Sequence, residues 1–317
     1  MSAWLRRPWV PTAIALAVIV ALASARYDGF FSAAVLVNLL DDGAVLGLAA
    51  LGATLVIASG GIDLAPGAMV ALSSTLVASL LARGTSSPLA FAAAVLLGIA
   101  LGAGAGALID ALELPAFIVT LGAMFLARGA ALALHVESLP IRAPAWEAWS
   151  RVEVPLGAGL GLDLAAVVWL VLAIVAAAAL RHSRTLRNAL AIGGDERTAV
   201  LFGVPTLPTR TAVYALGAGC SALAGVAYTL YSGQGDSTAG VGLELDAIAA
   251  VVIGGTALSG GSASLLGTVL GVLLLGVLQT MLVFEGVPGA GWTRIALGAL
   301  LLVFVVLRRG LAARVTA

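Results

Sequence analysis

Three acidic residues lie in stretches of the sequence that are otherwise apolar and rich in glycine. Asp63 closely follows Gly60 and Gly61, and Glu244 and Asp246 open a later apolar run. A carboxylate in hydrocarbon is costly and usually faces a cavity or a partner, so these residues are candidates for a solute pathway or for ion coupling. The simpler interpretation is that each caps a helix by accepting hydrogen bonds from free amides, and capping is compatible with lining a pathway.

The residue types needed for enzymatic catalysis are scarce. His135 and His182 are far apart, Cys220 is the single cysteine, and the sequence contains no lysine. Without lysine there is no phosphate-binding loop ending in Lys-Ser/Thr. One cysteine also excludes an internal disulfide and a multi-cysteine metal site. We therefore expect no catalytic residues, no metal and no cofactor, and a membrane enzyme is the least favoured class.

A polar island spans residues 181–210 in the middle of the apolar sequence. Its centre reads AIGGDERTA over 191–199 and closes on a Gly-Val-Pro sequence at 203–205. Gly193 and Gly194 are expected to end one helix through left-handed geometry, and Asp195 and Glu196 to open a short second helix, where acids favour the dipole. An ordinary solvated loop is the alternative, and the island's residues alone favour it.

The elements around these residues are predicted to be membrane-spanning helices. A mean hydropathy of +1.12 and a charged fraction of 10% exclude a soluble globular protein, in which about 25% of residues are charged. A crossing takes about 20 mainly apolar residues. We predict ten spans, at 9–25, 43–59, 66–82, 88–109, 115–134, 164–180, 211–231, 244–258, 263–285 and 291–307.

The arginines orient these spans. Ten of them fall on one side of a ten-span topology: Arg6, Arg7, Arg181, Arg184, Arg187, Arg197, Arg210, Arg308, Arg309 and Arg314. Only Arg26, Arg83, Arg142 and Arg151 fall on the other. The positive-inside rule then places both termini and the 181–210 loop in the cytoplasm. No basic patch exists apart from these membrane-flanking arginines, so no nucleic-acid partner is expected.

Two further arginines, Arg128 and Arg294, lie near membrane segments. A charge at this depth needs a partner, so each is expected to pair with Asp110, Glu285 or backbone carbonyls.

The longest segment on the outer side is 135–163, which contains Trp146 and Trp149. Tryptophan is enriched at the membrane–water boundary, so an interfacial helix across the outer mouth is one interpretation and a plain connecting loop is the other. We expect this segment to be periplasmic.

Glycines and internal similarity suggest how the spans pack. Gly98, Gly102 and Gly106 recur at four-residue spacing, as do Gly267 and Gly271, a pattern typical of close helix packing in lipid. Acids and glycines also precede an apolar helix in each half of the chain. Five spans in each half would relate the halves by inversion, a common transporter plan.

The motifs together resemble the permease subunits of bacterial sugar ABC importers of the ribose/galactose class, over essentially the whole length. The similarity lies in 56–64 (VIASGGIDL), 114–121 (LPAFIVTL) with Met124-Phe125 and Arg128-Gly129, 191–194 (AIGG) with Ala199 and Gly203-Val204, 241–249 (VGLELDAIA), 252–256 (VIGGT) and 258–261 (LSGG). The chain departs from the class at Ala65-Pro66-Gly67, where Ser-Val-Gly is usual, and at Ser262-Ala263-Ser264.

The resemblance implies an all-α polytopic membrane protein with the type II importer fold: one domain over 1–317, about ten helices and two inverted five-helix halves. It implies a pore of two permeases, identical as in ribose importers or different as in galactofuranose importers, which the chain resembles most. It also implies cytoplasmic ATPases, a periplasmic sugar-binding protein, and an inner-membrane location surrounded by lipid.

The resemblance also carries site residues. Those implied to couple the permease to the ATPase are Ala191, Gly193, Gly194, Asp195, Glu196, Ala199 and Gly203, and it favours the short helix over a solvated loop. Those implied to line the pathway are Gly60, Gly61, Asp63, Glu244, Asp246, Gly254 and Gly255. The alternative function is an ion-coupled secondary transporter that uses one of the three acids as its coupling carboxylate.

Overall fold

The computed structural model describes residues 7–157 and 159–286, together with residues 295, 298 and 299. Apart from these three residues, the tenth predicted span (291–307) lies outside the described residues, as do Arg294 and the C-terminal arginines.

Twelve helices occupy most of the described chain. They are α1 Val10–Arg26, α2 Ala33–Ala58, α3 Pro66–Ala82, α4 Ser87–Ala111, α5 Ala116–Leu134, α6 Pro144–Ser150, α7 Leu164–His182, α8 Arg184–Gly194, α9 Glu196–Leu201, α10 Thr206–Ser232, α11 Leu243–Ile253 and α12 Leu265–Phe284. Six of them, α2, α4, α5, α7, α10 and α12, are long and apolar enough to cross a membrane.

Three of the predicted spans are shorter than a full crossing. Helices α1 and α3 have 17 residues each. Helix α11 has only 11 residues and ends at Ile253, where 244–258 was predicted. The apolar run continues to Ala257, but Gly254 closes the helix and Gly255 adopts φ +99°, a left-handed conformation that glycine tolerates.

The glycine stripe of α4 packs against α10, as its spacing predicts. A Cβ on Gly98 would lie 2.6 Å from the Cβ of Ala222, and a Cβ on Gly106 would lie 2.7 Å from the carbonyl oxygen of Arg210. These contacts pair the start of one helix with the end of the other, so α4 and α10 are antiparallel and their backbones nearly touch.

Helices α2 and α10 are also antiparallel. A Cβ on Gly52 would lie 2.5 Å from the carbonyl oxygen of Gly217, and a Cβ on Gly61, just after α2, would lie 2.2 Å from the Tyr214 hydroxyl near the start of α10. In each half, a long helix is followed by an extended segment, a shorter helix and a third helix that runs parallel to the first: α2, α3, α4 and α10, α11, α12. This repetition with reversed direction is the order that inverted halves require.

Short strands correct the expectation of an all-α fold. Strand β1 (Leu139–Pro140) pairs with β4 (Gln234–Gly235), and β2 (Glu153–Gly157) pairs with β3 (Leu160–Asp163), all antiparallel. They lie at one end of the helix bundle, here called the strand end. The opposite end, which carries α8 and α9, is called the α8–α9 end.

The 135–163 segment contains a short helix, α6, as one of its two interpretations proposed. Its Trp146 is buried and packs with Val77, Ala78 and Ala90 of the helix bundle. The ring of Trp149 lies 5.3 Å from that of Trp146. The tryptophans therefore anchor α6 to the bundle by apolar packing.

Candidate functional site

Two helices begin inside the bundle, and their starts meet. The extended segment 59–65 leads into α3, and the segment 233–242 runs beside α3 before it leads into α11. A Cβ on Gly67 would lie 2.1 Å from the carbonyl oxygen of Gly240 and 2.4 Å from Oε2 of Glu244. The Glu244 carboxylate thus lies against the first turn of α3, where the positive end of the helix dipole favours an anion.

Asp63 is buried in the segment that leads into α3. Its Oδ1 accepts a hydrogen bond of 2.8 Å from the backbone N–H of Ala65. The prediction that Asp63 caps α3 is wrong in detail, because Ala65 is the N-cap residue and α3 has no side-chain cap. The carboxylate closes a local turn ahead of the helix instead.

Asp63 lines a cavity of about 490 Å³ between α3, α4, α5 and α10. Tyr214 also lines this cavity, and its buried hydroxyl has no hydrogen-bond partner among the described residues. Thr120 of α5 completes the polar part of the lining and donates its hydroxyl to the carbonyl oxygen of Ile62. The rest of this cavity is apolar.

Asp246 lines a different cavity, of about 700 Å³, towards the strand end of the bundle. This lining is more polar, and it includes Asn38, Asp41, Asp42, Tyr228, Tyr231, Gln279 and Thr280. The structure therefore does not bring Asp63 and Asp246 into one site.

The polar residues of the second cavity were missed from the sequence. Asn38, Asp41 and Asp42 stand at positions i, i+3 and i+4 of α2, so they share one helix face. That polar stripe was visible in the sequence, but the predicted second span began at residue 43 and left all three outside the membrane segment.

Arg128 holds the segment that enters the bundle before α11. Its Nη1 donates hydrogen bonds to the carbonyl oxygens of Ser237 (3.0 Å) and Ala239 (2.7 Å). This confirms the expectation of backbone carbonyl partners for this arginine. The other residues named as possible partners pair elsewhere, Asp110 with Arg210 and Glu285 with Arg26.

The four predicted pathway glycines lie at close packing contacts. Gly60 approaches Gly193, and Gly61 lies against Tyr214. A Cβ on Gly254 would lie 2.4 Å from the carbonyl carbon of Gly267, and one on Gly255 would lie 2.2 Å from the carbonyl oxygen of Pro8. None of the four is on the lining of the two cavities described above.

Helices α8 and α9 form the core of the 181–210 segment, here called the coupling loop because the residues implied to couple the permease to the ATPase lie in it. Leu186, Ala189 and Ile192 of α8 are buried on one face. Gly194 ends the helix, but neither Gly193 nor Gly194 has a positive φ, so the predicted left-handed ending is wrong. Ala191 and Gly194 are exposed.

The start and end of α9 agree with the prediction. Asp195 is its N-cap, and its carboxylate accepts hydrogen bonds from the backbone N–H (3.2 Å) and the hydroxyl (2.9 Å) of Thr198. These bonds lower the pKa of Asp195. Glu196 lies in the first turn, and Gly203, with φ +76°, follows the last turn.

Ala199, one of the residues implied to couple the permease to the ATPase, does not lie on the exposed face of α9. Ala199 is buried, so its methyl group is turned into the protein. Leu201 and Phe202, which follow it, are each 85% exposed, and Val200 is 53% exposed. Large apolar side chains that project so far from a polar segment are typical of a protein–protein contact.

Comparison with known proteins identifies the family. Residues 35–305 match the family described as the permease component of branched-chain amino acid transport systems. The chain is 41% identical to the inner membrane ABC transporter permease protein YjfF of Escherichia coli K12, over 90% of this chain and 87% of that protein.

Two further relatives carry names of sugar import systems. The fructose import permease protein FruG of Bifidobacterium longum is 35% identical over 98% of this chain and 93% of its own length. The ribose import permease protein RbsC of E. coli K12 is 35% identical over 90% of this chain and 88% of its own length. No solved structure matches the chain. With a match that covers most of the sequence and a polytopic helical fold, the chain belongs to this family of membrane permease components.

Proposed function

We propose that this protein is the membrane-spanning permease subunit of an ATP-driven sugar importer in a bacterial inner membrane. Similarity over about nine tenths of the chain to ribose and fructose import permeases supports the assignment. The solute is a monosaccharide, with galactofuranose or a related sugar as our first candidate from the motifs at 114–121 and 241–249. A periplasmic binding protein delivers the sugar, and a second permease, the same or a related chain, completes the pore.

The α8–α9 end faces the cytoplasm in this proposal, and the strand end with the 135–163 segment faces the periplasm. The arginine distribution supports this orientation. A tenth span at 291–307 completes the two inverted five-helix halves of a type II importer, and both termini are cytoplasmic.

The observation that carries the proposal is the exposed apolar tip of α9, formed by Val200, Leu201 and Phe202. It lies on the polar loop, outside the apolar spans, where a soluble ATPase has access. The predicted coupling residues position this tip: Asp195 caps the helix, Glu196 binds Arg210, and Ala199 packs inward. The contact with the ATPase is made by the tip, and Ala199 supports it from behind.

The solute pathway passes the inner starts of α3 and α11. Glu244 lies at this meeting point, with Asp63 in the cavity on one side and Asp246 in the cavity on the other. ATP binding draws the coupling loops of the two permeases together and ATP turnover releases them. The access of this pathway then alternates between the binding protein and the cytoplasm.

A secondary transporter is the second candidate, and one observation favours it. Asp63 and Tyr214 line the same cavity, and the buried Tyr214 hydroxyl has no hydrogen-bond partner within the described part of the chain, an arrangement suited to a proton or cation site. The two candidates differ in where the driving energy enters.

The proposal is tested by whether an ABC ATPase is encoded beside this chain and whether that ATPase binds the permease. The purified permease should bind that ATPase with or without nucleotide, and it should neither bind nor hydrolyse ATP on its own. No measurable complex with the neighbouring ATPase, or nucleotide turnover by the permease alone, contradicts the assignment.

A further inference from the structure

Five glycines from three segments meet at the α8–α9 end of the bundle: Gly60, Gly193, Gly194, Gly260 and Gly261. We propose that this glycine junction links α8 and α9 mechanically to α3 and α11, the two helices that begin inside the bundle and are here called the interrupted helices. Gly193 is the positioning residue of this junction. The role of this junction in transport rests on the proposed function. The linkage itself is a structural property of this chain and does not depend on that function.

Gly193 is enclosed by backbone from both of the other segments. A Cβ at this position would lie 2.2 Å from the carbonyl oxygen of Ala58, 2.7 Å from the amide nitrogen of Gly261 and 2.9 Å from that of Gly60. All three neighbours are main-chain atoms, which cannot rotate aside as a flexible side chain does. Only glycine fits here without moving a backbone.

The loop between α11 and α12 closes the junction from the other side. A Cβ on Gly260 would lie 2.6 Å from the carbonyl oxygen of Gly193 and 2.8 Å from the Cα of Gly60. The amide of Gly261 also donates a 3.0 Å hydrogen bond to the carbonyl oxygen of Ala58. Gly60, Gly260 and Gly261 have φ values of +82°, +82° and +76°, which place their backbones in the left-handed region.

The three segments lead to the parts of the molecule that transport must move. Gly193 lies in the last turn of α8, two residues before Asp195, the cap of α9. Gly60 begins the segment that carries Asp63 to the start of α3, and Gly260 lies between the end of α11 and α12. A shift of α8 therefore acts on one interrupted helix from each half through backbone contacts, without an intervening side chain.

Hydrogen–deuterium exchange of the full chain in lipid nanodiscs tests the linkage. Gly193→Ala adds the obstructing Cβ, and the expected result is faster exchange in residues 190–204, in 55–66 and in 255–264 together, by about tenfold at the Gly261 amide. Gly194→Ala is the matched control on the same helix end, because its Cβ would meet only the Cα of Gly261, at an ordinary 3.8 Å.

A second variant approaches the junction from the opposite segment. Gly260→Ala should accelerate exchange in the same three segments. Its control, Gly84→Ala, has the same φ of +82° but open space around the added Cβ, so it carries the conformational strain without the obstruction. If Gly193→Ala does not yield folded protein, Gly260→Ala decides by the same criterion.

The linkage is overturned if exchange rises only in the segment that carries the substitution. It is also overturned if Gly194→Ala and Gly84→Ala raise exchange as much as Gly193→Ala and Gly260→Ala do.

A further experiment uses the permease with its ATPase and binding protein. There Gly193→Ala should reduce sugar uptake per ATP hydrolysed by about tenfold while the ATPase stays bound. Unchanged uptake per ATP overturns the transport role. If the wild-type permease does not bind the ATPase, the proposed function is refuted, but the conclusion from the exchange experiment still stands.

Discussion

Nη1 of Arg210 lies 2.9 Å from Oδ1 of Asp110, which joins the start of α10 to the end of α4. The same guanidinium extends Nη2 to 2.6 Å from Oε2 of Glu196, in the first turn of α9. Arg210 and Asp110 are 19% and 11% exposed, so this pair is largely shielded from solvent. One cation therefore connects the coupling helix to the antiparallel α4–α10 pair.

We predict that Arg210→Ala lowers the free energy of unfolding by about 1–3 kcal/mol, because it leaves the Asp110 carboxylate shielded without its cation. The value is below that of a fully buried pair, since water still reaches Arg210. Thermal unfolding in detergent measures the change. Arg187→Ala, an exposed arginine on α8, is the control and should alter stability by less than about 0.5 kcal/mol. Equal effects of the two variants would refute a structural role for the Arg210 ion pairs.

A second prediction concerns the packing of α7 on α2. Trp169 is fully buried, and a Cβ on Gly47 would lie 2.1 Å from its Cε2 atom. Gly47→Ala should destabilise the protein by about 1–3 kcal/mol, because a rigid indole in a close-packed interior has little room to yield. Gly104→Ala is the control, since its added Cβ meets nothing within 4 Å. A loss of stability in Gly104→Ala but not in Gly47→Ala would contradict the packing.

The two glycines at the end of α8 show what sequence reasoning could and could not find. Their position as the end of a helix was predictable from the Gly-Gly sequence and the acids that follow. The reason for them was not, because the left-handed ending was inferred from local preference. The actual constraint on Gly193 comes from Ala58 and Gly261, which lie far away in the sequence.

For the three acidic residues too, the sequence predicted the local features but not the contacts with distant segments. The sequence predicted that Asp63 and Glu244 lie near helix starts, because glycine and acid before an apolar run is a local signal. It did not reveal that Glu244 lies against α3, a helix of the other half, or that Asp246 faces a separate cavity. Contacts between halves depend on the packing of distant segments, which hydropathy does not encode.

The apolar tip of α9 gives a third prediction. Phe202→Ala should weaken binding of the partner ATPase by about tenfold or more, because aromatic anchors dominate interface energies. Phe31→Ala removes an equally large side chain, 68% exposed, from the segment between α1 and α2 and should leave the affinity unchanged. Affinity measured on nanodisc-embedded permease decides. An intact affinity in Phe202→Ala would remove the tip from the interface.

Ala199 is not a suitable position for testing contact with the ATPase. Because its side chain is buried, Ala199→Trp should lower the stability of the α8–α9 region itself. Its effect on uptake therefore does not report on ATPase contact, and the exposed Phe202 is the position that does.

The grip of Arg128 on the segment before α11 gives a fourth prediction. Arg128→Gln removes the charged donor from the carbonyl oxygens of Ser237 and Ala239, so amide exchange in residues 233–242 should accelerate by about tenfold or more. Sugar uptake should fall with it, since this segment positions Glu244. Arg83→Gln, an exposed arginine after α3, should change neither. Normal exchange in Arg128→Gln would show that the segment holds its path without Arg128.

Uptake of labelled sugar into proteoliposomes tests the central claim most directly. The permease is reconstituted with its ATPase and the second permease, and the binding protein is supplied on the membrane face opposite to the ATPase. Either ATP or an imposed proton or sodium gradient is the only energy source. We predict uptake that requires ATP, the ATPase and the binding protein together, and that is insensitive to dissipation of the gradients. Uptake by the permease alone under a proton or sodium gradient, without ATP, would contradict the account and establish a secondary transporter.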